Sequence, residues 1–223
     1  SPVSYNIVFH TNEIATEPFD LSILEKEVLE MKAHLSTTVS VEGNRVGVVS
    51  IADLHGGSYI DGLRNTPDYS IGILVQRLNE IAVRTNAMNY KKVHIHILGD
   101  LVESFSGLNH SNSWKGLQKG MHGVQIIKFM VRILHEEFLA KINNLVSVKV
   151  VGGNHDRFHS DKNVDNEGGV AELICYGLEL LKYDVEFDSL VINHVVDDVS
   201  YVLLHGDKGI SKRKAKEIIL DYG

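Results

Sequence analysis

Short apolar runs separated by polar, helix-period stretches set the organisation of this chain. Val146–Val151 is a valine-rich run, and Arg45–Ala52, Lys92–Leu98 and Ser200–Leu204 are likewise rich in apolar residues. Runs of this length, rich in Val and Ile and closed by Gly, Asp or Asn, predict strands. Between them lie helical patterns. Thr66-Pro67-Asp68 supplies an N-cap, a proline at the first helical position and an early acid, and predicts a helix with Ile71, Leu74, Leu78 and Ile81 inward. A long helix is predicted from about Lys119 to Ile142, with Met121, Ile127, Val131, Leu134 and Phe138 on its apolar stripe. Gly169–Leu181 predicts another helix and Val185–Phe187 a short strand. Leu190–Val196, an Asp197-Asp198 turn and Ser200–Leu204 predict an antiparallel hairpin. The order begins as strand, helix, strand, helix, strand and ends in antiparallel pairs, so the expected class is α/β, a layered sandwich with mixed sheets rather than a doubly wound parallel sheet.

Residues 1–45 read as an N-terminal extension or support segment, with a helix expected near Leu21–Leu35, and residues 46–223 as the main domain. The 43% apolar composition is enough for a sizeable core. Cys175 sits in an apolar helical pattern and reads as a small buried hydrophobe. With one cysteine, no membrane-length apolar run and no signal-peptide pattern, the expected setting is reducing and cytoplasmic. The net charge of −7 argues against a broadly basic nucleic-acid surface, although it counts carboxylates that bound cations would neutralise.

The chemistry collects where the strands end. Asp53-Leu54-His55 follows the first strand, Gly99-Asp100-Leu101-Val102-Glu103 the second, Gly153-Asn154-His155-Asp156 the third, and His205-Gly206-Asp207 the last. Each motif alone is weak; four at near-equal intervals, each closing an apolar strand, are not. Oxygen and imidazole groups carried on the ends of neighbouring strands open into one crevice.

In order and placement these blocks resemble the calcineurin-like metallophosphoesterase family, whose pattern runs Asp-x-His, Gly-Asp-x-x-acid, Gly-Asn-His-acid, His-Gly and finally Gly-His-x-His. Four of the five blocks are present over residues 53–206. The resemblance implies an α/β/β/α sandwich with two mixed sheets. It also implies two divalent ions, manganese before iron or zinc, with Asp53 and His55 on the first, Asp100 bridging both, and Asn154 and His205 on the second. A metal-bridged hydroxide would attack phosphorus, and His155, oriented by Glu103, would protonate the leaving oxygen or hold phosphoryl charge. Asp156 fits the same block and equally reads as a turn-fixing carboxylate. No Gly-His-x-His follows His205, leaving each metal one ligand short. The expectation is that this block, with the last strands, lies beyond residue 223.

The implied activity is hydrolysis of phosphate esters, leaning to a phosphodiesterase or nuclease acting on DNA or a nucleotide. The alternatives are a phosphomonoesterase and, from another class, a non-catalytic scaffold of the same fold. Two loops could set substrate choice: Ser104–Gly116, with His110 and Trp114, and the stretch beginning at Arg157. Trp114 could stack on a base or simply anchor its loop. His94-x-His96 lies on one strand face, but His96 is roughly 13 Å along the strand from Asp100, so both read as packed or surface histidines. His135-Glu136-Glu137 begins like a zinc-protease helix but has Leu139 where the second histidine belongs, and reads as a solvated face.

Overall fold

The computed structural model describes residues 43–107, 113–159, 169–207 and 213–223. The expected N-terminal helix and His110 lie outside the described residues. Four parallel strands form one sheet in sequential order: β1 (Val46–Ile51), β2 (Lys92–Leu98), β3 (Leu145–Val151) and β4 (Val185–Asp188). A separate antiparallel hairpin joins β5 (Val191–Val196) to β6 (Val199–Leu204). The fold is α/β, as expected from the alternation, but among the described residues neither sheet is mixed: one is wholly parallel and the other is a hairpin.

Alternation along the central strands divides the molecule into layers. Val93, Ile95 and Ile97 of β2 join Val148 and Val150 of β3 in the main core, packed with the crossover helices α1 (Ile71–Ala87), α2 (Val124–Glu136) and α3 (Val170–Leu180). Cys175 lies in that core, as its pattern predicts. The other face of the same strands carries His94, His96 and Leu98 on β2 and Ser147, Lys149 and Val151 on β3. The hairpin covers this face: Val151, Ile192 and Leu203 form a small second core with Leu98 and Tyr201 against it. The period-two His-x-His is therefore the semi-polar face of a strand roofed by a hairpin.

Two helix starts differ from the sequence expectation. Thr66 is not a cap, because Tyr69 exchanges both backbone hydrogen bonds with Ile60 and stays extended; the N-cap is Ser70, whose side chain accepts from the Ile73 N–H. The expected helix from Lys119 is confined to Val124–Glu136, because Gly120 and Gly123 adopt φ of 85° and 59° and the Gly123 N–H bonds the Phe105 carbonyl instead. Phe138 is still buried, beyond the helix. His135 is not on a solvated face: it is buried, its Nδ1 2.7 Å from the Tyr183 hydroxyl, so the ring belongs to the α2–α3 side of the core. A short helix α4 (Ala215–Tyr222), with no buried residue, follows β6 in the chain. Among the described residues no helix is long and apolar enough to cross a membrane.

Candidate metal centre

The parallel register brings the motif-bearing ends together. Ile51 pairs with Ile97, and Leu98 with Val151, so the segments that follow leave the sheet side by side. Pairing continues past the strands: the His55 N–H donates to the Asp100 carbonyl and the Gly56 N–H to the Leu101 carbonyl, both at 2.9 Å. The chain turns sharply here. Asp53, His55 and Asp100 have φ of 54°, 42° and 53°, values uncommon for residues with a side chain. Three left-handed residues among the expected ligands put backbone strain at the junction itself.

Glycines allow the loops to meet. A Cβ on Gly153 would lie 2.2 Å from both the backbone nitrogen and Oδ1 of Asp100, and one on Gly99, at φ 82°, would lie 2.7 Å from Nδ1 of His205. No larger residue fits either place. Asp156 locks the junction: buried at 3% exposure, its carboxylate accepts from the N–H groups of Val102 and Gly153. Burial raises its pKa to about 6 against the opposing pull of those donors. Of its two sequence readings, the turn-fixing one describes these contacts.

Asp53, His55, Asp100, Asn154, His205, His155 and Glu103 all converge at this junction. Two groups of possible ligands share Asp100: His55, Asp100 and His155 in one, and Asp53, Asp100 and His205 in the other. Asn154 enters the second, its Oδ1 3.2 Å from His205 Nε2. Asp100 Oδ2 lies 3.4 Å from His205 Nε2 and 3.9 Å from His55 Nε2, while its Oδ1 accepts from the His155 N–H. His155 thus stands nearer a ligand position than the resemblance implies, and Asp53 faces His205 as well as His55.

Hydrogen bonds fix the ring tautomers. The Leu98 carbonyl, 2.8 Å from His205 Nδ1, can only accept, so Nδ1 carries the hydrogen and Nε2 faces Asp100 and Asn154. The Glu103 carbonyl fixes His155 in the same way, also at 2.8 Å. Glu103 therefore orients His155 through its backbone; its carboxylate is 3.7 Å from that ring and 2.9 Å from Nδ1 of His55. That second contact is short but misaligned, and the buried His55 nitrogen makes no well-formed hydrogen bond.

The electrostatics match a cation site. The pKa of His55 is raised, chiefly by Glu103, and that of His205 is raised to about 9, chiefly by its hydrogen bond to Asp100, with burial opposing both. Burial alone would lift Asp100, but His205 and the His155 N–H outweigh it and hold the carboxyl below its usual range. A potential negative enough to keep protons on imidazoles will also keep divalent cations. The hard oxygens and imidazoles present, the shared carboxylate and the His55 Nε2 that faces Asp53 and Asp100 fit such ions.

No family model, curated protein or solved structure matches this chain.

The remaining expected substrate contacts fall elsewhere. Arg157 donates to Asp207 at 3.0 Å in a mostly buried pair, tying the loop after β3 to the turn after β6. Trp114 belongs to a 3-10 turn, Ser113–Gly116, and its side chain, like His110, is outside the described residues. Sequence reading passed over Tyr69 and Arg77. Both line a cleft of about 350 Å³ that also reaches Asp53, His55 and Glu103. The only signal was an aromatic residue beside the proline of a supposed helix cap, with an arginine farther along.

Proposed function

We propose that the protein is a metal-dependent phosphoesterase with a dinuclear centre, of phosphodiesterase or nuclease type, on the α/β/β/α plan of the calcineurin-like metallophosphoesterases. The observation that supports this best is the pair of ligand groups sharing Asp100 at the strand ends, with His155 beside them. Asp53, His55, Asp100, Asn154 and His205 would hold two divalent ions, manganese by preference. When bound, such ions supply a nucleophile from water near neutral pH and polarise a phosphoryl oxygen.

The chain's own residues do the rest. Asp100 is fixed by the His155 N–H and is 4% exposed, so its carboxylate is already held between the two groups that would hold the ions. The Leu98 and Glu103 carbonyls hold His205 and His155 in single tautomers. A protonated His155 keeps Nδ1–H on the Glu103 carbonyl and offers Nε2–H to the departing oxygen. As the water oxygen bonds to phosphorus and the ester P–O bond breaks, that proton neutralises the leaving alkoxide.

The test is hydrolysis of a chromogenic phosphomonoester and a phosphodiester by the full chain, with and without manganese. Expected are manganese-dependent turnover with the diester preferred, and a fall of about 10²–10⁴-fold in His155→Ala while bound manganese per chain is unchanged. Preference for the monoester would assign a phosphomonoesterase. Bound manganese without turnover above that variant would overturn the reading in favour of a non-catalytic scaffold. Loss of manganese in His155→Ala would make that ring a ligand.

A further inference from the structure

The cleft beside the metal centre has a built wall. Its apolar part is Ile60, Pro67 and Tyr69, and its volume of about 350 Å³ falls within the range of small-molecule sites, about 300–1,000 Å³. Tyr69 is held from three directions: two backbone hydrogen bonds to Ile60, and its hydroxyl donating to the Leu54 carbonyl at 2.5 Å. Leu54 lies between Asp53 and His55, so the aromatic ring is fixed with respect to two expected ligands. The Arg77 guanidinium, projecting from α1, stands 5.4 Å from the centre of that ring.

A rigid aromatic platform backed by a planar cation, opening directly from a phosphoryl site, suits a flat π-system and loses little entropy on binding one. Base–aromatic stacking is tolerant of base identity and does not need hydrogen-bond readout. The other titratable groups facing the cleft are Asp53, His55 and Glu103 at its metal end, and Asp68, which accepts from the Gly62 N–H. An uncharged nucleoside presents no charge to this mixed lining, so its binding reads the platform by itself.

We infer that the cleft takes the nucleoside of the substrate, its base against Tyr69 and Arg77, so that the substrate class is a nucleotide ester. The placement of the phosphate rests on the metal-centre reading; nucleoside binding does not.

The metal-free full chain is titrated with adenosine, and with ribose as control, by ligand-observed NMR. Adenosine binds saturably and ribose does not. Tyr69→Leu weakens adenosine about tenfold, whereas Tyr69→Phe, which removes the anchor to Leu54 but keeps the ring, retains most of the affinity. Circular dichroism confirms that each variant is folded. With manganese, kcat/KM is compared for a nucleoside 5′-(4-nitrophenyl) phosphate and methyl 4-nitrophenyl phosphate. The nucleoside ester is favoured at least about tenfold, and Tyr69→Leu removes that preference mainly through KM. No adenosine binding, equal binding by Tyr69→Leu, or equal rates on the two esters would overturn the inference. Adenosine binding without manganese-dependent turnover would keep the cleft and overturn the phosphoesterase; turnover with equal rates would do the reverse.

Discussion

Two histidine clusters flank the parallel sheet's central strands, and the same side chain behaves oppositely in them. At the strand ends, His55 and His205 face Asp100, Asp53 and Glu103 and are made more basic. On the sheet face beneath the hairpin, His94, His96 and His194 face one another and Lys149. His96 Nε2 lies 2.9 Å from His194 Nδ1, and His94 Nδ1 2.8 Å from the Ser147 hydroxyl. All three are made less basic, first by burial and then by their cationic neighbours, His96 to about 4. At the strand ends close carboxylates outweigh burial, whereas beneath the hairpin burial and cationic neighbours outweigh Asp197, Glu186 and Asp184. Histidine count alone predicts neither.

The largest effect should come from removing the acid that distinguishes the two. Asp100→Asn is expected to weaken manganese binding by more than the 10–100-fold typical of losing a residue that merely supports a ligand. In the metal-free protein the same change should return the His205 pKa from about 9 towards 6.5, read by NMR titration, while leaving His96 where it is. Retention of a basic His205 would show that Asp100 is not its cause.

Next in size is the approach that delivers Asp100. Gly153→Ala puts a methyl group against the Asp100 backbone and carboxylate and should cost about 1–3 kcal/mol in urea unfolding as well as weakening manganese binding. Gly72→Ala on α1, where a Cβ meets only ordinary contact distances, serves as control and should be neutral or slightly stabilising.

The smallest effect is in pH dependence, where the clusters have opposite signs. His205, raised on folding, stabilises the metal-free protein below pH 6.5 and loses that contribution as pH rises through about 9. His96, lowered on folding, stabilises above pH 6.5 and loses its contribution as pH falls through about 4. Together these two histidines favour a maximum near pH 6.5, with Asp156, raised to about 6, opposing the acid limb. His96→Gln should flatten the acid limb by about 1–2 kcal/mol, less than the full shift because the seam is partly screened by solvent. An unchanged acid limb would remove His96 as its source. Saturating manganese, which requires neutral imidazoles, should erase the alkaline limb.

The strands were legible because each is a run rich in apolar residues closed by residues that cannot continue it; Lys92–Leu98 was read to the residue. The convergence of the strand-end motifs was legible for the same reason, since parallel strands in register deliver their ends to one edge. Long-range contacts were not. His96 and His194 are 98 residues apart and meet only when the hairpin folds over the sheet, and nothing local in either segment announces it. His135 was misjudged because Tyr183, its partner, lies across a helix interface. Tyr69 was hidden by a competing local signal: Thr66-Pro67-Asp68 satisfies helix-cap chemistry, and only the pairing of Tyr69 with Ile60 shows that the chain there is still extended.

The shared junction also bears on the order of assembly. Asp53, Asp100, Asn154 and His205 come from four separate segments, and the last arrives on a hairpin seated by a small apolar cluster. No contiguous piece of the chain holds both ligand groups. A nascent chain emerging in order would assemble the group of His55, Asp100 and His155 first, and the group of Asp53, Asp100 and His205 only after β6 has followed. The second group is complete only when β6 docks. An ion held by that second group would then staple the hairpin to the sheet, adding to the small apolar cluster that seats it.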